Sequence, residues 1–216
     1  MDPRIETHAE ILVDDYAEVE AGDQVAVVAS QAAEPLAIAV ADLVGERGGV
    51  VSTSLGSPRI QRAYRLAADE ATLDQENEIV RAKYEAADAV VQIRGEANLN
   101  ETGDVPPEKS AVAKRANRAV QEALLDSRWV LTQWPSTGHA QKAEMSMEAY
   151  EDFVWSAINK DWDAVREHQS QMVERLDPAD EVRIVSGDTT DVTMSVAGNH
   201  VINDAAENNM PGGEVF

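Results

Sequence analysis

The sequence predicts an α/β protein, a Rossmann-like, mostly parallel open sheet with flanking helices followed by the start of a second, β-rich segment, and three observations carry this. Four short runs rich in β-branched or aromatic residues, Gln24–Ala29, Val50–Leu55, Ala89–Ile93 and Trp129–Trp134, alternate with stretches long enough for helices. Runs such as Val25-Ala26-Val27-Val28-Ala29 are continuously apolar, which suits strands covered on both faces of a parallel sheet, because crossover helices pack on either side. After residue 178 the pattern changes to polar–apolar alternation in Val182–Val185 and Val192–Val196, the mark of half-exposed antiparallel strands. Residues 1–178 therefore form one expected domain, and residues 179–216 the beginning of another.

Taken in order, residues 4–20 carry a rough apolar stripe, Ile5, Ile11, Leu12, Tyr16 and Val19, among acids, and read as a helix ended at Gly22-Asp23. The first strand follows, and then a helix from Glu34-Pro35 to about Arg47. Proline near its first position and Gly48-Gly49 past its end match the asymmetry of helix termini. Val50–Leu55 is the second strand, so the first fifty or so residues make a strand–helix–strand unit with an expected right-handed crossover. Residues 58–86 read as helix in two pieces, Gly95–Gly103 as a loop, and residues 106–126 as one helix opened by Pro106-Pro107. Pro135-Ser136-Thr137-Gly138 breaks the fourth strand. Two helices, Met145–Asn159 with Ser146 as cap and Asp161–Leu176, complete the α/β part before Pro178.

Charge narrows the function. The 216 residues carry 40 acids against 18 Lys and Arg, a formal net charge of -22, spread along the chain without a basic cluster. A protein that neutralises phosphates needs a basic face, so nucleic acid is not an expected partner. The dispersed carboxylates and scarce lysines resemble proteins of salt-loving organisms, in which salt screens mutual repulsion; an ordinary acidic protein is the alternative. No cysteine is present, which excludes disulfides and thiolate metal sites. No secretory signal is visible after Met1-Asp2-Pro3-Arg4, and no apolar run nears the roughly 18 residues needed to span a bilayer. A cytoplasmic location without membrane contact is the expectation.

The first strand-to-helix turn, Ser30-Gln31-Ala32-Ala33, lacks the Gly-x-Gly-x-x-Gly that lets a pyrophosphate approach a helix, so no dinucleotide cofactor is expected. The phosphate loop, Gly-x-Ser-x-Gly and His-Glu-x-x-His are also absent. None of His8, His139, His168 and His200 forms an i, i+4 pair, and each reads as a surface or packing residue. His139 stands out because it follows the carboxyl end of a strand, where open α/β sheets place ligands. Trp129, Trp134, Trp155 and Trp162 read as core or interface anchors. In Asn209–Phe216 a Pro-Gly-Gly bend delivers Glu214 into Val215-Phe216; by itself this reads as a solvated acid near a terminus.

Three stretches in order resemble one family, the metallo-aminopeptidases that include aminopeptidase T and aminopeptidase S. The strand, Pro-Ser-Thr loop and Met145-Ser146-Met147-Glu148-Ala149-Tyr150 within Trp129–Phe153 are similar to its Met-Ser-x-Glu-x-Tyr region. Gly187-Asp188-Thr189-Thr190-Asp191-Val192 resembles its Gly-x-x-Thr-Asp-Leu, with valine in the last place. Asn209–Phe216 is similar to its Asn-x-Pro-x-Gly-Glu-Val-Phe. The resemblance implies an enzyme that releases amino-terminal residues from peptides, a homodimer, and two divalent metal ions, Zn, Co or Mg, one of them ligated by Glu214. It also implies that the other ligands and the general base lie in a catalytic domain beyond Phe216, so that this chain is an incomplete and inactive amino-terminal part. One carboxylate cannot fix two cations about 3.5–4 Å apart. The alternative is a Rossmann-like domain that binds a small ligand or forms a dimer without catalysis.

Overall fold

Four parallel strands, β1 (Gln24–Ser30), β2 (Val50–Gly56), β3 (Ala89–Arg94) and β4 (Arg128–Gln133), pair in the order β2-β1-β3-β4. The computed structural model describes residues 1–216 and divides into two units, Met1–Asn159 with Asn208–Met210, and Lys160–Glu207 with Pro211–Phe216. In the first unit Val27 lies opposite Thr53 on one side and Val91 on the other, and Val91 opposite Val130. The mixed α/β architecture and parallel sheet are those read from the sequence.

The central strands are buried and β2 is not. Val25, Ala26, Val27, Val90 and Val91 are each almost fully shielded, whereas Val50 and Leu55 remain about half exposed. β2 is an edge strand with a neighbour on one side only, but so is β4, whose Val130 and Thr132 are buried, so edge position is only part of the difference. Ala26 and Val90 pack with Tyr84, Val120 and Leu124 from α5 (Glu78–Glu85) and α7 (Arg118–Leu125). The helix α2 (Glu34–Glu46) covers β1 and β2 and in turn supports α1 (Pro3–Glu10). It buries Leu36, Val40 and Val44 completely, each worth about 1.5–3 kcal/mol relative to exposure.

Three helical expectations change in detail. The single helix expected over 4–20 is α1, capped by Asp2 Oδ1 accepting from the Arg4 N–H at 2.9 Å, followed by a wider π turn over Ile11–Tyr16. The Ala17 N–H reaches the Leu12 carbonyl at 2.9 Å, and Glu18 at φ 44 stops the turn. Residues 58–86 hold three helices, α3 (Pro58–Ala67), α4 (Glu70–Leu73) and α5. The helix expected over 106–126 breaks into α6 (Pro107–Ala116) and α7 at Asn117. Asn117 Nδ2 donates to the Ala113 carbonyl at 2.8 Å while its Oδ1 accepts from the Asn77 N–H at 3.1 Å, so one side chain ends α6 and ties the break to the start of α5.

Beyond β4 the expected loop contains a short helix, α8 (Thr137–Lys142). Gly138 is required there, because a Cβ would sit 2.5 Å from the Glu96 carbonyl oxygen. The helix α9 (Met147–Ile158) begins as expected, with Ser146 Oγ accepting from the Ala149 N–H at 3.2 Å.

The second unit holds α10 (Trp162–Leu176) and two small antiparallel pairs, β5 (Glu181–Ser186) with β6 (Thr190–Ser195), and β7 (Asn203–Asp204) with β8 (Glu214–Val215). Asp161 caps α10 by accepting the Ala164 N–H at 2.9 Å. The β5–β6 hairpin is antiparallel as expected, but more open than half-exposed strands would be, with Ile184, Val185, Val192 and Met194 all exposed. Within this unit α10 packs on β7 and β8.

Candidate functional site

The segment before Glu214 is held by backbone pairing. In the first unit, Asn208–Met210 runs along the free edge of β4: the Leu131 N–H donates to the Asn208 carbonyl and the Met210 N–H to the Leu131 carbonyl, both at 2.7 Å, with Met210 buried. In the second unit the tail forms β8 against β7, pairing Asp204 with Glu214 and Asn203 with Val215. Ile202 and Phe216 extend the ladder through hydrogen bonds of 2.6 and 3.1 Å. The Pro-Gly-Gly bend makes this geometry possible. Gly213 adopts φ +104 and donates its N–H to the Asp204 carbonyl at 2.9 Å, and a Cβ on Gly212 would lie 2.6 Å from the Ala206 backbone nitrogen. Only glycine tolerates both demands.

Glu214 is exposed on this two-stranded ribbon, directly across from half-buried Asp204. Asp204 and Glu207 are a linked carboxyl pair. Burial, the hydrogen bond with Glu207, and the charges of Glu207 and Glu214 push the Asp204 carboxyl above the usual carboxylate range, against the Ala206 N–H that donates to Asp204 Oδ1 at 2.9 Å. Burial also works to raise Glu207, but its backbone hydrogen bond, the Arg166 guanidinium and Asp204 outweigh it and hold Glu207 below the usual range. The two shifts run in opposite directions, as expected of two carboxyls that share a proton while one is neutralised by arginine. Glu214 is left as the acid of the three whose carboxylate makes no side-chain hydrogen bond or ion pair.

Sequence reasoning singled out Glu214 and missed Asp204. Its strand is two residues long, Asn203-Asp204, and no periodicity announces a strand so short. The histidines go elsewhere. His8 is fully buried, with Nε2 2.7 Å from Thr132 Oγ1, and His168 and His200 are exposed. His139 lies in α8, just past the carboxyl end of β4 as expected, with Nδ1 2.9 Å from Ser136 Oγ. Ser136 donates its hydroxyl to the Glu96 carbonyl at 2.8 Å, and Gln133 Nε2 lies 3.3 Å from the same His139 Nδ1, so the imidazole is engaged in a local packing contact. No group of three or more His, Asp or Glu side chains is placed to hold a metal ion, so the donors of these 216 residues do not by themselves make up a metal centre.

A family model described as thermophilic metalloprotease (M29) matches residues 1–216. The chain belongs to the M29 family. Among solved structures, wild-type AmpT from Thermus thermophilus is similar with a TM-score of 0.76 at 19% identity, over 99% of this chain and 60% of that one. At that identity the likeness shows the fold, and it shows an M29 chain that spans about three fifths of AmpT's length. An alcohol dehydrogenase superfamily protein from Novosphingobium aromaticivorans aligns with a TM-score of 0.28 at 15% identity, over 78% of this chain and 49% of that one, too low to carry an argument. No curated protein matches the chain. The M29 family is one of metalloproteases. No helix in it is long and apolar enough to cross a membrane.

Proposed function

We propose that this M29 chain supplies the α/β portion and one metal ligand, Glu214, of a metal-dependent aminopeptidase that removes amino-terminal residues from peptides. The observation that carries the reading is the family match over all 216 residues, with an AmpT-like fold and a tail whose bend presents Glu214 unpaired. Two divalent ions, Zn, Co or Mg, are part of the proposal. The donors in this chain do not complete a site for them, so the remaining ligands and the general base come from residues outside these 216. Homodimer formation and a cytoplasmic location belong to the same reading and rest on the family resemblance and the composition.

The test uses the protein or complex in which the ligand set is complete. Metal-dependent release of leucine from a leucyl anilide is expected, and Glu214→Gln, which keeps the shape but loses the charge, should reduce it by about a hundredfold or more, since a lost ligand lowers both metal occupancy and Lewis acidity. Unchanged turnover and metal content in that variant would remove Glu214 from the centre.

We also propose that the surface is adapted to high salt. With 40 acids against 18 Lys and Arg, self-repulsion opposes the compact state, and a Debye length near 3 Å at about 1 M salt suppresses it. Thermal unfolding followed from molar potassium chloride down to tens of millimolar should show a drop of more than about 10 °C in midpoint. A flat response would assign the acids to solubility alone.

A further inference from the structure

The order β2-β1-β3-β4 puts a topological switch between β1 and β3, where the chain leaves one strand in one direction and the other in the opposite direction. Such a switch opens a crevice outside the strands' carboxyl ends, the place where open α/β sheets take ligands. In this molecule Ser30 closes β1, and its hydroxyl donates to the carbonyl of Gly95, just past β3, at 2.8 Å. Two cavities of about 320 and about 280 Å³ meet over that bond, sharing Ser30, Pro58 and Glu96. Arg59 and Glu101 line the first and Arg94 the second.

The charges there are unusual for this chain. Nine of the thirteen arginines make ion pairs, and Arg59 and Arg94 are two of the four that do not. With 40 acids available, leaving two guanidiniums unpaired in one crevice needs a reason. The carboxylates of Glu96 and Glu101 line the same space and are equally free of ion pairs, Glu101 accepting only from Asn98 Nδ2 at 3.0 Å. The crevice thus offers cationic and anionic side chains that are not satisfied by one another. A molecule bearing both a carboxylate and an ammonium group satisfies both. A phosphate ester does not, because the turn after β1 lacks the glycines for close approach and Glu96 and Glu101 repel its two negative charges without an ammonium group to offset them. The volumes suit a ligand near the small end of the range for binding clefts.

We propose that this crevice binds a free α-amino acid, with its carboxylate on the Arg59 guanidinium, its ammonium group on Glu96, and its side chain in the space beside Arg94. Arginine meets a carboxylate with two parallel hydrogen bonds, which fixes orientation as well as charge. The site belongs wholly to the α/β unit and is independent of the peptidase reading, so either can fail without the other.

Calorimetric titration of the 216-residue chain in EDTA with a panel of common L-amino acids tests it. At least one should bind saturably with one-to-one stoichiometry, and its carboxamide and N-acetyl derivatives should each bind at least tenfold more weakly. Arg59→Ala and Glu96→Gln should each weaken binding at least tenfold, whereas Arg175→Ala, which removes an unpaired arginine elsewhere, should leave it unchanged. Arg59 is exposed and Glu96 makes no side-chain hydrogen bond, so both variants are expected to fold; amide shifts at Ser30 and Gly95 on titration of the unaltered chain give a second readout. Absence of binding across the panel, binding insensitive to both substitutions, or binding of AMP or inorganic phosphate in place of amino acids would overturn the proposal.

Discussion

Replacing Trp155 with alanine is expected to lower the unfolding free energy by about 3–5 kcal/mol, the range for truncating a large buried aromatic side chain. Trp155 is 4% exposed on the inner face of α9. Its ring meets Trp134 edge-to-face at 5.5 Å and 82°, and His8 at 5.8 Å and 63°. The substitution therefore removes the contact that joins α9 to α1 and to the end of β4, and such ring pairs add about 0.5–1.5 kcal/mol each beyond the area they bury. Trp155→Phe should retain a substantial part of the stability. Denaturant unfolding decides the matter: a loss below about 1 kcal/mol for the alanine variant would mean that this ring cluster is not part of the core.

Acid should destabilise the protein through His8, by about 3 kcal/mol between pH 6.5 and pH 4. Burial lowers the His8 imidazole from its ordinary 6.5 to about 4, with Asn159 acting weakly in the opposite direction. The sign follows from proton counting. Between those values the unfolded chain binds a proton that the folded one refuses, so stability is full above pH 6.5 and is lost as pH falls through the window. About 2.5 units at about 1.4 kcal/mol each sets a limit of about 3.5 kcal/mol, of which about 3 is lost by pH 4, where the folded imidazole is itself half protonated. Protonation of surface carboxylates relieves repulsion in the same direction of pH and acts against this loss, so the comparison with His8→Gln isolates the histidine. That variant is expected to be less stable at pH 7 and to show a flatter profile from 6.5 to 4. Parallel profiles for the two proteins would place the acid sensitivity elsewhere.

The parallel sheet was legible because β1 and β3 are buried on both faces and so read as unbroken apolar runs, and α2 because Pro35 and Gly48-Gly49 mark its ends. What escaped depends on tertiary partners. The break at Asn117 exists because that side chain bonds to Asn77, forty positions away, and no local pattern encodes it. The exposure of β2 depends on what covers its faces, which composition does not set, and its edge place alone does not decide it, since the other edge strand, β4, buries Val130 and Thr132. The antiparallel pattern of β5 and β6 was visible, yet alternation alone cannot say what covers either face. At the site, the glycine bend and Glu214 stood out in the sequence, while Asp204, the residue opposite, lies in a two-residue strand that exists only because the tail pairs with it. The crevice charges were equally invisible, since Arg59 opens α3 after β2 while Glu96 lies in the loop after β3, and only the strand order brings the two to one crevice.

In the proposed reading these 216 residues contribute one ligand, not a metal centre, to an M29 peptidase. Hydrolysis of leucyl p-nitroanilide by the purified chain, assayed with Zn, Co or Mg against a metal-only blank, tests it most directly. The prediction is release no faster than the blank at every metal concentration. Turnover that requires the chain, rises with added metal and disappears with a chelator would contradict it.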